Sequence, residues 1–194
     1  LLEGEEVVLL PEAQALMDSR LAKDDPEANC LPTGVPRIAP FPWRIVHAPM
    51  SGPVTHFYFL FEGNVHSYRQ IFMDGREHPE DPDPTWYGHS IGYWEGDTMI
   101  VETKNFLRDT AFGNSSSSMQ LTEKFWMIDA DTLGYEFTIE DPTTWTEPWT
   151  VMFPMTRADL PIYEYACHEG NYSMAGILGG WRMLESLGQS GQQD

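Results

Sequence analysis

The sequence predicts a mainly β domain in which an antiparallel meander closes into a barrel. Two observations carry that expectation. Short runs of β-branched and aromatic residues alternate in polarity, as half-buried strands do, from Trp43 to the region of Cys167. Between them stand turn residues such as Asp74-Gly75, Glu95-Gly96-Asp97, Asp141-Pro142 and Arg157-Ala158-Asp159, which suit hairpin connections. At 194 residues with no break in composition, positions 1–194 read as one domain.

Taken in order, positions 11–23 (PEAQALMDSRLAK) place Ala13, Leu16, Met17, Arg20 and Leu21 on one side at helical spacing, with Pro11 suited to the first turn. Positions 24–53 hold prolines at 26, 32, 36, 40, 42, 49 and 53, which excludes regular helix and central strands. This is expected to be an extended wrap. Its Phe41, Trp43, Ile45 and Val46 require it to dock, with an edge strand over 43–47. The barrel is expected over 54–169, with roughly nine strands in all. They are 57–62, 66–73, 88–94, 98–103, 121–128, 133–140, 149–156 and 162–168, besides the edge strand. Ser115 to Ser118, four serines in a row, read as the tip of a loop or a lid. Positions 170–185 carry a short C-terminal helix on the spacing of Met174, Ile177, Leu178 and Trp181, and 186–194 have the composition of a disordered tail.

Thirty acidic residues against eleven basic give a formal charge of -19, which repels nucleic acid and anionic lipid. No apolar run approaches the roughly 20 residues of a spanning helix, so no membrane insertion is expected. Cys30 and Cys167 are the two cysteines, and the residues themselves leave open a disulfide or two buried thiols. A bridge between them would close a long loop and favour an oxidising compartment, periplasmic or secreted.

The stretches CLPTGVPR, PFPWRIV, YRQIFMDGREHPEDPDPTWYGHSIGYWEGDTMIVET, DPTTWTEPWTV and YEYACHEGN together resemble a large uncharacterised family of secreted bacterial proteins, over Cys30 to Asn171. The resemblance implies an exported protein in which Cys30 and Cys167 pair. It supplies no catalytic residues. The W-x-G-D turn between strands is similar, more loosely, to lipocalin-like barrels, which speaks to fold and not to chemistry.

Candidate chemistry centres on His66 to Thr103. Strand alternation puts Ser67, Arg69, Ile71 and Met73 on one face and His66, Tyr68, Gln70 and Phe72 on the other. Arg69 then needs a carboxylate, and Glu102, Glu123, Glu136 and Glu164 are placed to supply one. That pair would be an anion clamp inside the barrel or a structural pair that sets register. His89, opening a strand after Trp86-Tyr87-Gly88, is the candidate general acid or base at the rim, or else a loop anchor. His168, beside Cys167, is a further candidate for the pocket.

Tyr68, Trp86, Tyr87 and Tyr165 are the aromatics expected to stack on a ligand. His66, His78, His89 and His168 show no H-x-H or H-E-x-x-H spacing, so no metal is assigned, and no cofactor motif is present. The functional expectation is a small-molecule enzyme working by proton transfer, as a lyase, isomerase or hydrolase on an aromatic, cyclic or carbohydrate-derived substrate. The alternatives are a periplasmic carrier of a hydrophobic small molecule and a homo-oligomeric cell-envelope module.

Overall fold

Eight strands form one sheet in strict chain order, β1 (Trp43–Ala48), β2 (His56–Phe61), β3 (Tyr68–Phe72), β4 (His89–Glu95), β5 (Thr98–Lys104), β6 (Gln120–Met127), β7 (Thr132–Glu140) and β8 (Trp149–Thr156). The structure is a computed structural model and describes residues 7–63, 67–108, 112, 115–167, 169 and 172–188. Neighbouring strands pair antiparallel at six of the steps, with Glu95↔Thr98 and Met127↔Leu133 closing tight hairpins. Gly96 supplies the left-handed turn residue in the first of these, at φ +59.

The sheet curls into a half-barrel. In a flat sheet β2 and β6 would lie about 19 Å apart, four strand spacings of about 4.8 Å. Phe59 of β2 and Phe125 of β6 nevertheless meet at 5.4 Å between ring centroids, and Trp43 of β1 reaches Phe125 at 6.4 Å. The concave face is therefore the core. Phe59, Phe61, Ile71, Val101, Leu121, Phe125, Tyr135, Phe137 and Ile139 are buried there, each on the inward parity of its strand. β1 and β8 are the sheet's edges.

The proline-rich segment closes one side. It is less extended than its prolines suggest: Pro26–Asn29 is a turn of 3-10 helix, and Val35, Ile38 and Ala39 enter the core from a compact turn. Trp43 Nε1 donates to Ala39 O at 3.0 Å, fastening that turn to β1. Arg37 donates to Asp25 through both Nη atoms at 2.9 Å and to Glu27 at 2.9 Å, so the segment is braced within itself. Cys30 and Cys167 form a disulfide.

Three expectations about the sheet and its loops need correction. The step from β3 to β4 is parallel, through only Ile71↔Ser90 and Phe72↔Ile91, because the long segment 73–88 carries the chain back to the start of β3 before β4 begins. The expected strand over 162–168 is absent among the described residues of that stretch. Pro161 withholds a donor there, and the chain is held by Tyr163 N–H donating to Glu62 Oε2 at 2.9 Å and by the disulfide. The serine run is no free tip. Ser115 is wholly buried and accepts from Trp145 Nε1 at 2.9 Å, while the Ser116 backbone N–H and hydroxyl both donate to Asp141.

The helices differ as well. α1 (Pro11–Ser19) buries Ala13 and leaves Met17 exposed; the helix ends before Arg20 and Leu21, Leu21 is exposed beyond it, and the chain continues as a short 3-10 turn, Ala22–Asp24. α2 (Ser173–Ser186) forms where helical spacing predicts it, with Ile177, Leu178 and Trp181 exposed. Of the expected tail, 189–194 lie outside the described residues.

Candidate functional site

The parallel step makes a gap in the sheet. Upstream of the two paired positions, residues 67–70 face the segment 85–89 without a ladder between them, and a cleft of about 540 Å³ opens there. Residues of both sheet faces reach it: Tyr68, Gln70, Phe72 and His89 from the outer face, Ser67, Arg69 and Ser90 from the inner, with Trp86 and Tyr87 from the loop.

Local chemistry shapes the loop that carries His89. Gly88 adopts φ +67, and a Cβ there would lie 2.6 Å from the Lys104 carbonyl oxygen, so only glycine lets the chain pass this close to β5. Thr85 N–H donates to Asn105 O at 3.2 Å and its hydroxyl to Gly88 O at 3.0 Å. Asn105, itself left-handed at φ 66, donates through Nδ2 to Pro82 O and Asp83 O at 2.9 and 2.8 Å. The Pro-rich loop is thereby pinned to the end of β5.

On the inner side lies a closed polar cluster. Arg69 Nε donates to Ser90 Oγ at 3.0 Å, and its Nη2 donates to Thr103 Oγ1 at 2.6 Å and to Glu123 Oε2. Tyr135 O–H donates to Glu123 Oε1 at 2.7 Å. All five residues are buried, Arg69 and Glu123 at 2 and 1 % exposure. Burial and then the adjacent Glu123 carboxylate hold the Tyr135 phenol well above its ordinary range. The cluster joins β3, β4, β5, β6 and β7, and both carboxylate oxygens of Glu123 are occupied.

On the outer side, His78 and His89 meet through their Nδ1 atoms at 2.9 Å. His89 stacks on Phe72 at 5.1 Å between centroids, and the Arg76 guanidinium lies 3.9 Å from the centre of the Phe72 ring. Burial, with the nearby Lys104 ammonium, lowers the His78 pKa from its ordinary value, Glu102 opposing. Burial lowers that of His89 too, aided by His78 and Arg76. Both rings are therefore held toward the neutral form. His78 Nε2 is buried and makes no hydrogen bond among the described residues.

The residues singled out from sequence sort as follows. Arg69, Tyr68, Trp86, Tyr87 and His89 line one cleft. Glu123 is the partner of Arg69, beneath it. Glu102 is not: β5 alternation turns it to the outer face, where it accepts from Tyr93 O–H at 3.2 Å, and Glu136 pairs with Lys124. Tyr87 serves mainly as an anchor, buried against Phe61 at 5.6 Å with its hydroxyl 2.5 Å from Ser67 Oγ. Tyr165 stands on the coil after β8, outside the cleft lining. His66 and His168 lie outside the described residues.

His78 is the residue sequence reasoning undervalued, weighed there only as a metal ligand. Its signal was present in the pairing of two histidines across a loop whose prolines hold it rigid. Among the described residues no group of three metal-ligating side chains converges, and no helix is long and apolar enough to cross a membrane. No protein-family model, curated protein or solved structure matches the chain.

Proposed function

We propose that the protein acts on a small organic molecule held in the cleft between β3 and the loop 82–88. The observation that carries this reading is the convergence of Tyr68, Phe72, Trp86 and His89 on one cavity of about 540 Å³, a size that suits a ligand of drug-like dimensions. Half-exposed aromatics offer flat apolar surface, and Gln70 and His89 offer polar orientation. The chemistry favoured is proton transfer with His89 as acceptor, since an imidazole kept neutral near pH 7 is poised as a base. The Arg69–Glu123 pair is then the rigid floor of the site, not the proton acceptor, because both carboxylate oxygens of Glu123 already accept hydrogen bonds.

A disulfide persists in oxidising compartments, which together with the resemblance to secreted bacterial proteins supports action outside the cytoplasm. The test is a small-molecule library screened by thermal shift and native mass spectrometry. Compounds that bind the wild type should lose affinity at least tenfold in Trp86→Ala, and turnover of any of them should vanish in His89→Ala with binding retained. Hits whose affinity is untouched by Trp86→Ala and Tyr68→Ala would move the site elsewhere. A ligand always recovered unchanged would make the protein a carrier, the second reading, which the same aromatic lining favours.

A further inference from the structure

We propose that the cleft takes an organic cation, its quaternary ammonium or guanidinium group seated against Tyr68 and Trp86. The inference rests on the reading of the cleft as a small-molecule site and adds the charge of the molecule it holds. The cavity of about 540 Å³ has room for such a group together with the body of a drug-sized ligand. Two properties of the lining set the sign: which rings are already engaged, and how the charges around them balance.

Phe72 is engaged. His89 stacks on it at 5.1 Å between centroids, His56 meets it in a T-shaped contact at 5.2 Å, and the Arg76 guanidinium stands 3.9 Å from its centre. The last of these is itself a cation resting on an aromatic ring at the border of the cleft. Tyr68 is 61 % exposed, and its one ring contact among the described residues, with Tyr58 at 6.0 Å, is tilted and not stacked. Trp86 borders the same cavity half-buried and makes no ring contact among the described residues. An aromatic face carries the negative end of the ring quadrupole, so two such rings beside one cavity attract a cation and repel an anion.

The charges agree with the rings. Arg69 and Asp83 are the charged residues that line the cleft, and Glu123 balances Arg69. Asp83 is exposed, and among the described residues its carboxylate enters no hydrogen bond or salt bridge, only its backbone carbonyl being used, by Asn105. Around the cleft, Arg76 is balanced by Asp74, to which its Nε donates at 2.8 and 3.1 Å. Lys104 lines the separate pocket of about 270 Å³ and not the cleft. Arg44 is the opposing base, but the register Arg44↔Leu60↔Tyr68 sets it two strand spacings, about 10 Å, from Tyr68. Burial holds His89 toward the neutral form, so its ring adds no positive charge near pH 7. Over longer range the formal charge of -19 draws cations toward the surface and turns anions away.

The test titrates the wild-type protein with choline and, separately, with 3,3-dimethylbutan-1-ol, which has the same shape without the charge. Occupancy is read from the Trp86 indole N–H resonance in a nitrogen-15 correlation spectrum, assigned by its loss in Trp86→Ala. Choline is expected to shift that resonance and to bind at least tenfold more tightly than the alcohol, with an affinity that weakens as salt is raised. Asp83→Asn should reduce the advantage of choline over the alcohol several-fold, and Trp86→Ala should abolish it, as followed by calorimetry. Equal affinity for the two probes overturns the inference while leaving the cleft as a site for neutral molecules. Choline binding that leaves the Trp86 resonance unmoved, or that is as tight in Trp86→Ala as in wild type, is counter-ion binding elsewhere on an acidic surface and overturns it too. So does a Trp86 resonance that neither probe shifts, and the library screen then decides separately whether the cleft binds anything.

Discussion

Arg69 and Glu123 pose a question of energetics that their burial answers. A charge pair taken fully out of water gains little over apolar residues of the same volume, but stranding one partner costs about 3 to 5 kcal/mol. Glu123→Ala is therefore expected to lower stability by about 3 kcal/mol or more in urea denaturation. Replacing both, Arg69→Met with Glu123→Leu, should cost less than the single change. A double variant as damaged as the sum of its parts would mean that the charges themselves, and not their pairing, hold the strands. The histidines give a prediction of opposite character. Their folded pKa values lie below the ordinary 6.5, so the unfolded chain takes up protons first as pH falls. Stability from this source is complete above pH 6.5 and declines as pH drops through the lowered values. The urea midpoint should fall between pH 7.5 and 5.5, and fall less in His78→Gln than in wild type.

At the scale of elements, sequence was a good guide to strands and a poor one to their order in space. Short apolar and alternating runs located all eight, along with a ninth over 162–168 that is not a strand, and alternation placed Arg69 inward and Tyr68 outward, because period-two burial is a local property of the chain. The parallel pairing of β3 with β4 was not legible, since it depends on where the loop 73–88 returns and not on any residue within it. The serine run and the stretch after Pro161 failed for the same reason: Ser115 is buried by Trp145, thirty positions away in the hydrogen bond they share. Pairing is thinnest at the parallel step, so amides of Tyr68 to Phe72 are expected to exchange with solvent sooner than those of β6 and β7. Equal protection across all strands in a hydrogen-exchange experiment would show that the Arg69 cluster alone welds the gap.

For the molecule as a whole, the bridge between Cys30 and Cys167 spans a sequence separation of 137. Loop-closure entropy gives such a bond about 5 kcal/mol at most. Reductant should accordingly lower the melting temperature by about 10 °C in a chain of this size, and an unchanged value would mean the proline-rich segment docks without its tether. The tether also changes what a cut would do. The exposed bend Asp74 to Glu77 is the sole peptide link between two antiparallel units, β1–β3 and β4–β8, and the disulfide joins those same two units at another place. Bend and bridge thus close the stretch from Cys30 to Cys167 into a ring. A protease nicking that bend would leave a two-chain protein of unaltered mass save for one water, separable only by reduction, with the cleft lying along the line where its halves meet.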